Sequence, residues 1–543
     1  MRSGLIIFCA LLFCTGTTAA PRFDTVIRDV TLHDGTGAPA RQGQIAILAD
    51  RIAAVGNFAI PRGTRVVEGR GLVAAPGFID LHTHSDIDES RSREATIADR
   101  PLNANSNYLT QGVTTVVTGN CGFGPVEVSK FLGRIGEIGA GTNVIHLIPH
   151  NDLREKVLGP GDRSPTPSEM ERMRALVQRG MREGAWGMST GLFYRPGSYA
   201  TTGEIAALAG VVAAHGGIYA SHLRDEGVAL IASIEEAVEI GRRAGVPVHI
   251  SHLKADRPRV WGTARPAIEA ILEARATGVR VTADQYPYTA CSTRLSDETI
   301  PSSLRGGGPA DFHARADGAE WWKVRTAIRG ELAEYRGGET IRIATFPLQP
   351  SWQGRSLASI ARSRGIGAEE LVLEIERGGD ALTVNHSMSE GDLREFMRAP
   401  FVATASDGRT MAPGPDVPHP RNYGTFPRKI GRYAIEMGVV DLPTAIRSAT
   451  GLPSDILGLS DRGYLRAGYF ADIVVFDPRT LRDEATFETP HRYSTGVRHS
   501  FVNGVPAIVD GRLTGVLAGR ALRGPGTAGK RPLWGARRAR HRG

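Results

Sequence analysis

Cysteine is scarce. The 543 residues hold four, and two of these, Cys9 and Cys14, fall in an apolar run at the N-terminus. Only Cys121 and Cys291 remain for the body, too few for a disulfide framework, and their contexts speak against pairing with each other. A surplus of one charge sign is also missing from the body. The formal balance is +8, but residues 521–543 carry seven Lys/Arg and no acidic residue, and Arg2 lies in the leader, so 8 − 7 − 1 leaves the rest near neutral. Nucleic-acid binding calls for a basic face on the folded part, and the sequence shows none. The apolar run at 5–13 is too short for a stable membrane span, and no internal repeat is evident.

Residues 1–20 instead have the pattern of a secretory signal: Arg2, the apolar run, then small residues ending at Ala19-Ala20 before Pro21. The expected location is therefore outside the cytoplasm, periplasmic or secreted. Residues 521–543, Gly-rich and then basic, read as a disordered tail.

What is present is a long alternation of strand-like and helix-like segments between two strand-rich ends. The ends, 21–73 and 456–520, predict one small β-sandwich domain built from both termini. The middle, 74–455, has apolar β-type runs at 77–84, 114–119, 143–149, 186–191, 217–222, 247–252, 280–286 and 401–407, with amphipathic helical stretches between most of them. Eight parallel strands with crossover helices predict an α/β fold of the TIM-type (β/α)8 barrel, with chemistry at the strand C-termini. Residues 294–346 read as an inserted subdomain, a candidate lid.

The residues that close these runs carry the argument. The first ends His82-Thr83-His84, the second Asn120-Cys121-Gly122, the fifth Ser221-His222, the sixth Ser251-His252 and the eighth Ser406-Asp407-Gly408. Side chains two apart on a strand point the same way, so His82 and His84 converge. A thiolate with imidazoles suits zinc, and three protein ligands leave a position for water. Cys121, His222 and His252 are the expected tight site. His82 and His84 then face a second, weaker metal position, bridged by Cys121. The alternative gives all four histidines to one ion and leaves Cys121 structural. Asp407 is the candidate acid/base, placed to take a proton as water attacks and return it to a leaving nitrogen. The reaction class is metal-assisted hydrolysis of an amide or ester. A zinc-binding or ligand-binding protein without catalysis is the non-enzyme reading, and Asp407 speaks against it.

At these residues the chain resembles a known family. The stretch from Pro76 to Asp86 is similar to the first-strand signature of the amidohydrolase superfamily. Gly119-Asn120-Cys121-Gly122, the segment from Glu183 to Leu192, Tyr286-Pro287-Tyr288, and Ser406-Asp407-Gly408 with His419-Pro420-Arg421 resemble its D-aminoacylase branch, the N-acyl-D-amino-acid deacylases. Hydantoinase-like members bridge two metals with a carboxylated Lys on the fourth strand. The run from Trp186 to Gly191 contains no Lys, and Cys121 supplies a thiolate instead. The resemblance implies a zinc-dependent hydrolase of N-acyl-D-amino acids, a small-molecule substrate, and substrate contacts from Lys254, Tyr286, Ser292 and Arg421. A peptidase for dipeptides ending in a D-residue, or a cyclic-amide hydrolase, are the neighbouring readings.

Overall fold

The computed structural model describes residues 22–87, 96–305 and 309–527. The expected signal at 1–20 and the tail beyond 527 lie outside the described residues.

Each of the eight apolar runs becomes a strand: Phe78–Asp80, Val113–Thr118, Asn143–His146 with Ile148–Pro149, Gly187–Gly191, Ile218–His222, Val248–Ile250, Val281–Gln285 and Val402–Thr404. Each lies beside the next in sequence, and every pairing is parallel. Strands of this kind are covered on both faces, which is why they read as unbroken apolar or small-residue runs; all of Val113–Thr118 is buried. The hydrogen bonds divide into a three-stranded and a six-stranded sheet. The sheets meet inside the third run, where the Leu147 N–H donates to the Thr118 carbonyl at 2.9 Å. They meet again between the last strand and the first, where the Asp407 N–H donates to the His82 carbonyl (2.9 Å) and the His84 N–H to the Gly408 carbonyl (2.7 Å). The second seam brings the candidate acid/base onto the backbone of the histidine pair.

Helices connect the strands and are bounded by readable signals. Pro167–Glu183 opens on a capping box between Thr166 and Glu169 and stops at Gly184. Thr202–Ala214 is capped by Thr201, whose hydroxyl accepts from the Glu204 N–H. Their apolar faces join one extended core with the strands, among them Val177, Met181, Leu208, Val212, Ile234 and Ile271. Among the described residues no helix is long and apolar enough to cross a membrane.

Strands from both termini share one nine-stranded sheet rather than two separately bonded layers. Thr25–Leu32 pairs along one edge first with Arg65–Glu68 and then with Val73–Pro76, so the sheet forks at that strand. Register shifts in Thr25–Leu32, Arg41–Leu48 and Val497–Val502 bend it around Ile27, Ile45, Val67, Ile473 and Phe501. One bent, forked sheet thereby encloses the core that a sandwich would have closed with two.

Between the seventh and eighth strands, Cys291–Arg294, Leu382–Asn385 and Ile341–Thr345 form an antiparallel sheet. It carries its own apolar cluster, which runs from Leu295 to Ala381. This unit passes residue 346 because helices Leu357–Arg364 and Ala368–Arg377 complete the cluster. Its first strand sets Ser292 beside the site.

Residues 521–527, expected as the start of a disordered tail, are packed. The Leu522 N–H donates to the Val144 carbonyl (2.8 Å), and the Trp186 indole donates to the Leu522 carbonyl (3.1 Å). The backbone of the third strand and the buried indole offer partners to this stretch, and most of the basic residues come after it.

Candidate metal centre

Three of the strand-end residues sit in left-handed backbone: Cys121 (φ 51°), His252 (φ 35°) and Asp407 (φ 51°). Such conformations cost about 1–3 kcal/mol each outside glycine and cluster where side chains must be aimed. The Cys121 turn is sharp because it follows Gly119, where a Cβ would lie 2.1 Å from the Leu147 carbonyl oxygen. Ser189 on the fourth strand fastens the same turn. Its hydroxyl donates to the Gly119 carbonyl and accepts the Gly122 N–H at 3.0 Å.

The donors converge. Cys121 Sγ lies 3.3 Å from His82 Nε2, 3.7 Å from His222 Nδ1 and 3.5 Å from His252 Nε2, all buried. A thiol has one hydrogen and can donate to only one of three imidazoles at a time. A tetrahedral zinc, about 2.3 Å from sulfur and about 2.0–2.1 Å from nitrogen, sets its donors about 3.3–3.6 Å apart. The observed spacings fit that edge length. Two donor triads, Cys121 with His222 and His252 and Cys121 with His82 and His84, share the sulfur. A third joins His82, His252 and Asp407.

Electrostatics prepare the set for a cation. Burial pushes the Cys121 thiol well up and holds the His222 and His252 imidazoles well down, so all three donors are neutral without one. Burial alone would raise the Asp407 carboxyl. The Arg421 guanidinium, with the hydrogen bond to His84, outweighs it and holds Asp407 well below the usual carboxylate range. Asp407 Oδ1 is 3.1 Å from His84 Nε2 and 3.4 Å from His82 Nε2, and Oδ2 is 2.7 Å from Arg421 Nη1.

Two further carboxylates hold the histidines, and the sequence reading missed both. Asp284 Oδ1 accepts the His252 N–H (2.7 Å), while Oδ2 accepts from His249 Nε2 (2.8 Å) and lies 3.4 Å from His82 Nδ1. Glu226 lies against His222 and His252. The available signals were an acid within the seventh run, and one four residues past the strand-end His222. Asp80 accepts the backbone N–H groups of His82 (3.2 Å) and Ser406 (3.0 Å), and burial pushes its carboxyl up to about 7.

The residues expected to meet substrate lie around the same space, a cavity of about 640 Å³ with His84, Cys121, His222, His252 and Asp407 in its lining. Lys254 Nζ is 2.5 Å from Glu226 Oε2. Arg421 stacks its guanidinium over Tyr286, 4.9 Å from the ring centre, and its Nη2 donates to the Ser292 carbonyl at 3.4 Å. The buried Tyr286 hydroxyl has no hydrogen-bond partner among the described residues. Phe123, Phe193 and Tyr194 also line the cavity, with Tyr194 packed 4.7 Å from the His222 ring. His146 is not part of this space. Its ring is engaged by Thr118 and by the Pro125 carbonyl. Cys121 and Cys291 are both unpaired.

The sequence profile of the amidohydrolase family matches residues 65–508. The chain belongs to the amidohydrolase family. Its parallel core, with a metal-type donor cluster at the strand C-termini, superposes on solved members of that family's TIM-barrel fold. This amidohydrolase is 35% identical over 523 residues to D-aminoacylase of Alcaligenes xylosoxydans xylosoxydans, a match that covers 92% of this chain and 97% of that protein. A solved D-aminoacylase, described for a binuclear metal centre with one-metal activation and second-metal attenuation, superposes with a TM-score of 0.78 at 32% identity, over 92% of this chain and all of that one (100%). The N-acyl-D-glutamate deacylase of Bordetella bronchiseptica, solved with zinc and a phosphonate mimic of the tetrahedral intermediate, superposes at 0.77 with 30% identity, over 93% and 100% of the two chains.

Proposed function

We propose that this amidohydrolase cleaves the amide of N-acyl-D-amino acids, giving a carboxylate and a free D-amino acid, with one zinc held tightly by Cys121, His222 and His252. The observation that carries the reading is the single sulfur of Cys121, flanked by three imidazole nitrogens at 3.3–3.7 Å and backed by an ionised Asp407. His82 and His84, on the other side of that sulfur, would hold a weaker second ion. The similarity to D-aminoacylase over most of both chains supports the substrate class. The two seams of backbone hydrogen bonds support a core closed as an eight-stranded barrel. The N-terminal pattern supports export to the periplasm or the medium.

Zinc in this position supplies Lewis-acid polarisation of the amide carbonyl and lowers the pKa of water. The remaining work falls to side chains. Asp407, kept ionised by Arg421, takes the proton of the attacking water and returns it to the amide nitrogen as the C–N bond breaks. Lys254 and Arg421 bring positive charge to the substrate carboxylate, and Ser292 lines the same part of the cavity. Tyr286 aims a hydroxyl at the carbonyl, where the oxyanion forms.

Paired N-acetyl-D- and N-acetyl-L-amino acids, followed by amine release, test the substrate assignment. Turnover of the D-series alone is expected; equal rates on both enantiomers, or none on either, overturn it. Tyr286→Phe should lower kcat by about 10²–10³-fold, the usual range for one oxyanion donor. Stability should not fall, because the deleted hydroxyl has no partner among the described residues. Thermal unfolding recorded beside the kinetics checks both halves.

A further inference from the structure

Glu226 faces the metal donors and the anion-binding lysine at once. Its side chain is buried on the segment that follows His222. Oε1 is 3.0 Å from His252 Nδ1, while Oε2 is 3.4 Å from His222 Nε2 and 2.5 Å from Lys254 Nζ. Lys254 Nζ is itself 2.9 Å from His252 Nδ1. A carboxylate and an ammonium thus compete for one imidazole nitrogen.

The chemistry of the three groups decides the competition. An ammonium can only donate, so Lys254 bonds to His252 Nδ1 only when that nitrogen carries no hydrogen. The other ring nitrogen, Nε2, is the one that faces Cys121. Once Nε2 gives its lone pair to a metal, the ring hydrogen is on Nδ1 and needs an acceptor. Lys254 cannot serve, and Glu226 Oε1 can. The lysine contact and the metal-ligating tautomer exclude each other.

We propose that Glu226 is a positioning residue that couples the metal centre to the lysine reserved for the substrate carboxylate. With His252 Nε2 on the metal, Oε1 accepts the Nδ1 hydrogen, and Lys254 leaves the ring and turns its ammonium to the cavity while Oε2 retains it. The inference rests on the metal and carboxylate roles proposed above, and it assigns Glu226 a part in both.

The test is zinc affinity of the full chain, by competition with a chromogenic chelator, alongside turnover of an N-acetyl-D-amino acid. Glu226→Gln should weaken zinc binding by about 10–100-fold, the usual loss when the partner of a ligating histidine is removed. Lys254→Met should leave zinc affinity unchanged or raise it, because it deletes the competitor, while raising KM for the carboxylate substrate. A merely structural role would move both variants the same way. Weakening of similar size in both, or no change beyond about twofold in Glu226→Gln where the cited range starts at tenfold, overturns the proposal. Should Glu226→Gln fail to fold once Lys254 has lost its nearest carboxylate, Glu226→Gln combined with Lys254→Met removes both members of that pair. It should bind zinc more weakly than Lys254→Met alone, and equal affinity overturns the proposal. Failure of the deacylase reading looks different: wild-type protein that takes zinc but releases no amine from D-substrates.

Discussion

Asp407→Asn should keep its zinc and lose about 10²–10⁴-fold in kcat, the span ascribed to a positioned acid/base. The amide has the shape of the carboxylate and can still meet His84 and Arg421, but it cannot take a proton. None of the tight donors Cys121, His222 and His252 is altered, so metal content by elemental analysis should match wild type. Arg421 loses its ionised partner, and an uncompensated buried charge can cost about 3–5 kcal/mol when it is sealed from water. Here the guanidinium lines the cavity, so water can reach it and the cost should fall short of that range. A zinc-replete, folded and inactive Asp407→Asn protein supports catalysis by this carboxylate. An equally active one removes Asp407 from the mechanism.

Cys121→Ala should have the larger effect on the metal. The sulfur belongs to both the tight and the weak donor triads, so its loss leaves two imidazoles on each side. Zinc affinity should drop by more than about 10²-fold, the upper end seen for losses outside the ligand set, and turnover should fall with it. The pH dependence gives an independent reading. Burial holds the thiol protonated at neutral pH when no cation is present, so binding must expel that proton. The affinity should therefore rise with pH, about tenfold per unit, and fall as the solution is acidified. His222 and His252 add nothing to this slope near neutrality, because burial already keeps them uncharged. Chelator competition between roughly pH 6 and 8 should show one proton released per zinc. The slope should be absent from Cys121→Ala. A pH-independent affinity in the wild type would remove the thiolate from the metal site.

The strand ends were legible because parallel strands buried on both faces leave an apolar signature with a definite stop. The stop places a residue at the end where this architecture keeps its chemistry. His82, Cys121, His222, His252 and Asp407 all follow from that rule, and the fold gathers them into overlapping clusters of three. Asp284 and Glu226 did not follow. An acid inside a run or in a loop has many ordinary reasons to be there, and only the bonds of Asp284 to His249 and His252, and of Glu226 to Lys254, distinguish these two. The limits of the inserted unit were hidden for a related reason. Its core draws on helices far along the chain, and helical periodicity does not tell which cluster a helix will join.

The sequence by itself determined which donor types stand at the strand ends, imidazoles, one thiol and a carboxylate, and that the fourth strand carries no lysine. Those are properties of residue identity and local period, which survive in one dimension. Only the tertiary structure decided that one sulfur touches three imidazoles, that Arg421 keeps Asp407 ionised, and that Glu226 stands between a histidine and a lysine. These are distances of a few ångströms between residues as far as 131 positions apart, the separation of Cys121 and His252. Closing such separations is the work of chain packing, and no local pattern encodes them.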